Sequence, residues 1–341
     1  MTTSEIRQDK ATKEWVIYAP HRGTRPNDFA HADKADKKSK HSPEHDKSCP
    51  FCPGNEHMLP PIVMQTCCRG DDKWQVRVVP NKFPALTTEG DNARFDRGIY
   101  VAMNGYGYHE IVIESPLHNQ DICQMSTEEM GILIDVYHKR YVDLMEQHQN
   151  MMTMIFRNHG RRAGTSLIHP HSQIVVTGIV PNFIRYREEE LQRYYDDFGR
   201  CVHCDILEAE MRDRQRVIYE NESFLCFVPF AAVVPFQIRI MPKRHEADFG
   251  DISDQEKSDL TTALHDNLCR LHYKLDNPDY NYMIHSCARY KAGEPHLHWS
   301  LEIRPRLTMI AGFEFGSGMA INPSVPEEDA KLLKGALPES S

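Results

Sequence analysis

The sequence carries the same order of motifs twice, and such a repeat constrains the fold to two similar units. Each copy opens with a Cys-x-x-Cys motif, Cys49 to Cys52 in the first and Cys201 to Cys204 in the second. A strand-like run and a histidine follow, and a helical pattern then opens with the capping sequence Ser-x-x-Glu, at Ser126 and at Ser253. Each copy therefore predicts an antiparallel sheet with helices packed on one face, which is an α+β fold.

The two copies align on a shared Ala-Gly dipeptide that precedes a late histidine. His169 lies five residues after Gly164, and His298 lies five residues after Gly293. The extra residues of the first copy fall between its cysteines and its middle histidine. Aligned in this way, the histidines form two matched pairs: His118 with His245, and His169 with His298.

The repeated cysteines and histidines predict two metal sites. A Cys-x-x-Cys turn places two thiolates at the separation that tetrahedral zinc accepts, and each copy adds two histidines. The predicted ligands are Cys49, Cys52, His118 and His169 in the first site and Cys201, Cys204, His245 and His298 in the second. Four protein ligands leave no position for a substrate, so both Zn²⁺ ions are expected to be structural. Two alternatives stay open: these histidines could be core residues, and His296 competes with His298.

His171 occurs only once in the repeat, because its counterpart in the second copy is Ser300. An imidazole can attack phosphorus or move a proton, and a serine hydroxyl cannot replace it in those roles. The surrounding residues suit an anion: they are Asn158, Gly160, Gly164, Ser166 and Gln173. One chemical centre at His171 is therefore predicted. The alternative is a histidine that only packs beside the metal site.

Composition excludes several other classes of function. The chain has a net charge of −9 without a dominant basic stripe, which argues against nucleic acid and anionic membranes as partners. The absence of an apolar run of 18 residues and of an N-terminal secretion signal favours a cytoplasmic protein. Ten cysteines in that reducing compartment do not predict a disulfide framework.

The segment NHGRRAGTSLIHPHSQ resembles the active-site segment of the galactose-1-phosphate uridylyltransferases, within the histidine-triad (HIT) superfamily. The family spacing of Asn, Gly, Ser and His-Pro-His-Gly-Gln is matched by six residues: Asn158, Gly164, Ser166, His169, His171 and Gln173. One position departs, because Ser172 stands where Gly is usual. The resemblance implies two HIT-like repeats, predicted here as domains 1–195 and 196–341, joined by a polar helix over 186–200.

Further segments extend the resemblance over nearly the whole chain. KEWVIYAPHRGTRPNDF is similar to the family's nucleotide-binding loop and implies roles for Arg22 and Arg25, and PNKFPAL nominates Asn81. The region from GFEFG onward, which ends in a predicted helix from Pro326, nominates Glu314 and Asn322 on the sugar side. The family is usually a homodimer in which the neighbouring subunit completes the sugar end of the site.

The resemblance implies a two-step exchange of a nucleoside monophosphate between a nucleotide sugar and a sugar 1-phosphate. His171 would attack UDP-glucose to form a uridylyl-histidine, and galactose 1-phosphate would then take the uridylyl group. The His169 carbonyl would fix the tautomer of His171. Catalytic support is expected from Gln173 and Ser166, and nucleotide contacts from Asn158 and Gly164.

Departures from the family pattern leave two other functions open. The second Cys-x-x-Cys resembles a divergent branch with members that act on ADP-sugars, and Thr308 and Phe313 replace a lysine and a tyrosine near the sugar phosphate. An ADP-sugar phosphorylase or adenylyltransferase of the same family is therefore one alternative. The other is a non-catalytic protein that is stabilised by structural zinc and binds nucleotides.

Overall fold

The computed structural model describes residues 3–24, 43–67, 73–147 and 150–335 of the chain. Within these ranges, the N-terminal half contains strands β1 to β9, which span Glu5–Gln8, Trp15–Tyr18, Met64–Cys67, Trp74–Pro80, Arg94–Arg97, Tyr100–Met103, Gly107–Ile113, Met152–His159 and His171–Thr177. The C-terminal half contains β10 to β15, which span Val217–Glu220, Phe224–Phe227, Ile238–Pro242, Tyr280–His285, Ser300–Pro305 and Ala320–Asn322. The helices α1 to α6 span Thr127–Met145, Asn182–Phe198, Val202–Asp213, Asp254–Leu275, Gly312–Ser317 and Pro326–Lys334.

Ten of these strands form one antiparallel sheet in which the two copies mirror each other. The order is β10-β11-β12-β14-β13-β8-β9-β7-β4-β3, and β8 pairs with β13 at the centre. Outward from β8 come β9, β7, β4 and β3, while β14, β12, β11 and β10 follow outward from β13 in the same relation. The predicted α+β class and the duplicated antiparallel architecture are therefore confirmed.

The long helices α1 and α4 occupy equivalent places in the two copies and pack together on one face of this sheet. Both begin with the predicted capping boxes, in which the hydroxyls of Ser126 and Ser253 accept hydrogen bonds from the backbone N–H groups of Glu129 and Glu256. Their apolar stripes form the main core. Apolar residues at helical spacing along both helices are buried: Met130, Leu133, Tyr137, Leu144, Leu260, Leu264, Leu268 and Leu271.

Strand β11 shows that the part of the sheet formed by the second copy is covered on both faces. Phe224 and Cys226 join the main core, whereas Leu225 and Phe227 pack with Leu207 of α3 on the opposite side. All four strand residues are buried, because side chains alternate between two covered faces. The shorter helix α3 therefore adds a second, smaller layer to the predicted one-sided arrangement.

Two small sheets lie outside the duplicated ten-stranded sheet. The hairpin β5–β6 is inserted between β4 and β7, where the extra residues of the first copy were predicted. Strands β1, β2 and β15 form a three-stranded sheet in which β15 of the C-terminal half pairs with β2 of the N-terminal half.

The predicted polar helix is α2, which begins at Asn182 rather than 186 and ends before Gly199, a glycine with a φ of 66°. The proposed domain boundary at 195 falls within this helix, and the separation into domains stays a prediction. Helix α6 begins at Pro326, as predicted.

None of the helices in the described part of the chain is long and apolar enough to span a bilayer. The cysteines that the structure describes are all free thiols, in keeping with the expectation that no disulfide framework holds the fold.

Candidate functional site

His171 is the first residue of β9 and lies near the centre of the sheet. Its side chain is buried, and its Nδ1–H group donates a hydrogen bond of 2.8 Å to the backbone carbonyl of His169. Because a carbonyl can only accept, Nδ1 must carry the hydrogen. The lone pair of the neutral ring is therefore on Nε2, which is the arrangement that the family resemblance implied.

Phe51, one of the two residues between Cys49 and Cys52, packs against both histidines. Its ring meets the edge of the His171 ring at a centroid distance of 5.4 Å and that of His169 at 5.8 Å. Burial lowers the pKa of His171, and this effect outweighs the opposing effects of the His169 carbonyl and Glu114. The cysteine turn thus contributes to keeping the His171 ring neutral, which sequence reasoning did not find.

The first predicted set of ligands converges in the structure. Cys49, Cys52, His118 and His169 are all buried, and their ligand atoms lie within 4.8 Å of one another. The Cys52 Sγ atom is 3.5 Å from His118 Nδ1 and 3.6 Å from His169 Nδ1. The other ring nitrogen of His169 donates to the Ser115 carbonyl at 2.7 Å, so Nδ1 is left with its lone pair toward the cysteines. This cluster could hold a metal ion.

The second set converges in the same way. The ligand atoms of Cys201, Cys204, His245 and His298 also lie within 4.8 Å of one another. His298 Nε2 donates to the Pro242 carbonyl at 2.9 Å. Ser115 and Pro242 lie at equivalent positions, three residues before His118 and His245. The repeat therefore preserves the late histidine, His169 or His298, together with the backbone carbonyl to which its Nε2 donates.

The competing candidate for the second set, His296, lies outside it. Its Nδ1 atom is 3.7 Å from the Glu294 carboxylate, and its ring is absent from the group of converging donors. The structure therefore places His298, rather than His296, in the candidate cluster, which contains two cysteines and two histidines.

The equivalent of the His171 environment in the second copy is filled by charged side chains. Ser300 begins β14 as His171 begins β9, and Glu302 takes the position of Gln173. The Glu302 carboxylate accepts hydrogen bonds from Arg304 Nε at 2.7 Å and from His285 Nε2 at 3.2 Å. Burial opposes its ionisation, but Arg304 and His285 hold its pKa well below the usual range. The two copies therefore differ around this position, and a single chemical centre at His171 stays a prediction.

Gln173 and Asn81, both predicted on the nucleotide side, meet at a residue that the sequence did not single out. His109 of β7 donates from Nε2 to Gln173 Oε1 at 2.8 Å, and the Asn81 amide nitrogen lies 3.1 Å from the same Nε2 atom. A lone histidine in a strand carries no sequence signal for such a contact, because the contact depends on the pairing of β7 with β9.

The glycine-containing loop before His169 is held by residues of the second copy. Gly160 and Gly164 have φ values of 81° and 94°, which glycine adopts without strain. The Asp279 carboxylate accepts a hydrogen bond of 2.6 Å from the backbone N–H of Arg162, and Asn281 donates to Asn158 Oδ1 at 2.8 Å.

The loop also carries Ser166, whose side chain is exposed. Neither Asp279 nor Asn281 was predicted, since both reach the loop across the β8–β13 pairing.

The departure from the family pattern at Ser172 has a structural explanation. Ser172 is fully buried, and its Oγ atom lies 2.6 Å from the hydroxyl oxygen of Tyr137. That hydroxyl is also 2.6 Å from the hydroxyl of Tyr282 and donates to the Glu114 carboxylate at 3.2 Å. Glu114 in turn forms a buried ion pair of 2.9 Å with Arg157. The serine therefore adds a satisfied hydroxyl to a polar network behind His171.

The remaining predicted residues lie at the chain ends. Arg22 lies in the 3₁₀-helix Pro20–Thr24, while Arg25 falls outside the described residues. Glu314 caps α5 by accepting from the backbone N–H of Ala311 at 2.9 Å.

Asn322 is fully buried in β15, where its amide donates to the Ala232 carbonyl and accepts from the Ser324 N–H. Both sugar-side candidates are thus engaged within the chain. Their contact with a sugar stays a prediction.

Comparison with known proteins places this geometry in a family. Residues 1–181 match the family model for the N-terminal domain of galactose-1-phosphate uridyl transferase, and residues 182–333 match the model for its C-terminal domain. ADP-glucose phosphorylase of Arabidopsis thaliana is 34% identical over 97% of this chain and 92% of its own. Galactose-1-phosphate uridylyltransferase of Thermotoga maritima is 26% identical over 97% of this chain and 98% of its own.

A solved structure extends the similarity to three dimensions. The crystal structure of the Arabidopsis thaliana ADP-glucose phosphorylase with bound ADP-glucose superposes with a TM-score of 0.84, at 32% identity, and covers 98% of this chain and 99% of that one. Together the two family models account for nearly the whole sequence. The chain therefore belongs to the galactose-1-phosphate uridyl transferase family of enzymes.

Proposed function

We propose that this enzyme transfers a nucleoside monophosphate through a covalent intermediate on His171, as a UDP-glucose–hexose-1-phosphate uridylyltransferase. The observation that carries the proposal is the bond from His171 Nδ1–H to the His169 carbonyl, which leaves the Nε2 lone pair as the nucleophile. Nε2 attacks the α-phosphorus, and the bond to the bridging oxygen breaks to release glucose 1-phosphate. An oxygen of the acceptor, galactose 1-phosphate, then attacks the same phosphorus and breaks the P–N bond.

Side chains around His171 would stabilise the charge that moves onto the phosphate oxygens. Gln173 and Ser166 are proposed as hydrogen-bond donors to those oxygens in the transition state. Nucleotide contacts are assigned to a larger set: Arg22, Arg25, Asn81, Asn158 and Gly164. Glu314 and Asn322 remain the sugar-side candidates.

A second candidate function is phosphorolysis of an ADP-sugar, and the identity to one relative supports it. The ADP-glucose phosphorylase of Arabidopsis thaliana is 34% identical to this chain, compared with 26% for the Thermotoga maritima uridylyltransferase. The first step would be the same attack by His171, here with adenylyl transfer. Inorganic phosphate would replace the sugar phosphate as the acceptor of the second step.

Both Cys₂His₂ clusters are proposed to hold structural zinc. Tetrahedral coordination with ordinary Zn–S and Zn–N bond lengths places sulfur and nitrogen about 3.6 Å apart. The Sγ–Nδ1 distances include 3.5, 3.6 and 3.7 Å in the first cluster and 3.3 and 3.7 Å in the second. The donors therefore fit a tetrahedral ion, which would tie the cysteine turn to the strand that leads to His171.

We also propose that two copies of the chain associate through the β5–β6 hairpin. The hairpin exposes Ile99, Tyr100 and Val101, with 90%, 71% and 69% of their surfaces accessible. Adjacent exposed apolar side chains of this size are typical of a surface that binds another protein. A second copy is the partner that the family resemblance implies.

One experiment tests the chemistry and separates the two candidates. The protein is incubated with UDP-glucose or ADP-glucose without an acceptor, and its intact mass is measured. The proposal is supported if the wild type gains one uridylyl or adenylyl group and His171→Ala does not. His57→Ala, which replaces an exposed histidine, is the control and should gain the same mass. Release of the group by galactose 1-phosphate indicates the transferase, and release by inorganic phosphate the phosphorylase. A wild-type protein that gains no mass from either donor overturns the proposal.

A further inference from the structure

His109 occupies the space between two residues assigned to nucleotide binding. It lies on β7, next to β9, and its Nε2 atom is 2.8 Å from Gln173 Oε1 and 3.1 Å from the Asn81 amide nitrogen. Asn81 is itself fixed, because its backbone N–H donates to the His109 carbonyl and its Oδ1 accepts from the Phe83 N–H. His109 thus connects the segment that carries Asn81 to the strand that begins with His171.

The tautomer of His109 follows from its other neighbour. The backbone N–H of Ala85 donates to His109 Nδ1 at 3.1 Å, so Nδ1 carries a lone pair and not a hydrogen. In the neutral ring the hydrogen is then on Nε2. Of the two groups near Nε2, Gln173 Oε1 is the acceptor, since an amide NH₂ group can only donate.

This bond selects one of the two orientations of the Gln173 amide. A glutamine side chain has an accepting oxygen and a donating NH₂ group, and rotation exchanges their positions. With Oε1 held by His109, the NH₂ group is the end that remains to act elsewhere. Phosphate oxygens only accept hydrogen bonds, so only this orientation gives Gln173 a donor for a phosphate.

We propose that His109 is a positioning residue that holds Gln173 with its NH₂ group directed to the transferred phosphate. The inference rests on the proposed function, since it requires phosphoryl transfer at His171. His109 does not act on the phosphate itself, because both of its ring nitrogens are engaged. Its effect passes through one hydrogen bond to Gln173, and it should disappear when Gln173 is absent.

The test is a double-mutant cycle on the rate at which His171 gains the nucleotidyl group. UDP-glucose or ADP-glucose, whichever modifies the wild type, is mixed with His109→Leu, Gln173→Ala and the double variant, and the modified fraction is followed by quenched intact-mass analysis. His109→Leu should be about 10-fold slower, the loss expected for one hydrogen bond in a transition state. The double variant should be no slower than Gln173→Ala.

Two polar substitutions of His109 keep the test valid if His109→Leu does not fold. His109→Gln retains an NH₂ donor for Gln173 Oε1 and should stay within about 3-fold of the wild-type rate, whereas His109→Glu can only accept and should be as slow as Gln173→Ala. Tyr108→Phe, which changes the neighbouring residue on β7, serves as the control for strand stability and should keep the wild-type rate.

Losses from His109→Leu and Gln173→Ala that multiply in the double variant would overturn the inference, because they would show a general structural role. Equal rates for the Gln and Glu variants would do the same. A wild type without any adduct would instead contradict the proposed function.

Discussion

The backbone carbonyl of His169 lies 2.8 Å from Nδ1 of His171, so a candidate metal ligand holds the ring of the proposed nucleophile. His169 is also fixed through its own side chain, by the Ser115 carbonyl on one nitrogen and the cysteines on the other. Ser115, His169 and His171 therefore form a continuous chain of contacts from the candidate metal cluster to the proposed nucleophile. The two histidines can be separated experimentally because only one of them faces the cysteines.

Replacing the two histidines with alanine should give opposite patterns. His171→Ala should abolish nucleotidylation but keep the metal of both clusters and a melting temperature close to the wild type. His169→Ala should lose one metal ion per chain and should unfold at a lower temperature, since metal binding contributes to folding. Elemental analysis and thermal denaturation measure these outcomes. Loss of metal in His171→Ala would contradict the separation of roles.

Equivalent cysteines in the two copies provide a matched pair for metal removal. Cys52→Ser should reduce both the melting temperature and the nucleotidylation rate, because Phe51 and His169 of the first cluster contact His171. Cys204→Ser should reduce the melting temperature but keep the nucleotidylation rate within about 2-fold of the wild type. The strand next to the second cluster begins with Ser300 and not with a nucleophilic histidine. Equal loss of rate in both variants would show that the second cluster also supports the site.

The contacts that the sequence predicted are those in which both partners belong to one repeated motif. The cysteine turns, the paired histidines and the capping boxes recur at matched positions, whereas the bond from His171 to the His169 carbonyl was implied by the family resemblance. Residues that act across elements escaped prediction. His109 and Asp279 reach the site only through strand pairing, and no local pattern marks them.

The burial of Asn322 also could not be predicted from the sequence. The family resemblance nominated it, yet nothing in the local sequence indicates that both ends of its amide are bonded inside the fold. Burial of a polar side chain depends on which loop packs over it, here the one that contains Ala232. That information is absent from spacing and composition.

Ser172 should contribute to stability through its contact with Tyr137. Ser172→Ala removes a buried partner of the Tyr137 hydroxyl, and a loss of about 1 kcal/mol in the free energy of unfolding is expected. Urea denaturation measures this loss. The effects of Ser172→Ala and Tyr137→Phe should be less than additive, because both remove the same hydrogen bond. Strictly additive losses would indicate that the two hydroxyls act independently.

Association through the β5–β6 hairpin should depend on its exposed apolar residues. Replacing Ile99 and Val101 with aspartate places two like charges on each hairpin, which should repel across an interface between two copies. The mass in solution, measured by light scattering after size exclusion, should fall from a dimer to a monomer. Asp135→Lys on the exposed side of α1 is a control for a change of charge and should leave the dimer intact. A double variant that remains dimeric would place the interface elsewhere.

Gly160 and Gly293 offer a comparison between a glycine that lies against Asp279, in the loop before His169, and a glycine with open space around it, in the loop before His298. Both have positive φ, at 81° and 79°, but the ψ of 161° at Gly160 lies in a region that essentially only glycine adopts, so alanine at Gly160 adds backbone strain of about 1–3 kcal/mol. A Cβ atom at Gly160 would lie 2.0 Å from Asp279 Oδ1, whereas a Cβ atom at Gly293 would have nothing within 4 Å. Gly160→Ala must therefore displace the carboxylate that accepts from the Arg162 N–H.

We expect Gly160→Ala to slow nucleotidylation of His171 by about 10-fold or more, because about 1.4 kcal/mol of lost positioning corresponds to that factor. Gly293→Ala should lower the melting temperature slightly and keep the rate. Asp279→Ala should reproduce the kinetic effect of Gly160→Ala without adding backbone strain. If all three variants retain the wild-type rate, the second copy does not position the loop, and the contact from Asp279 serves stability alone.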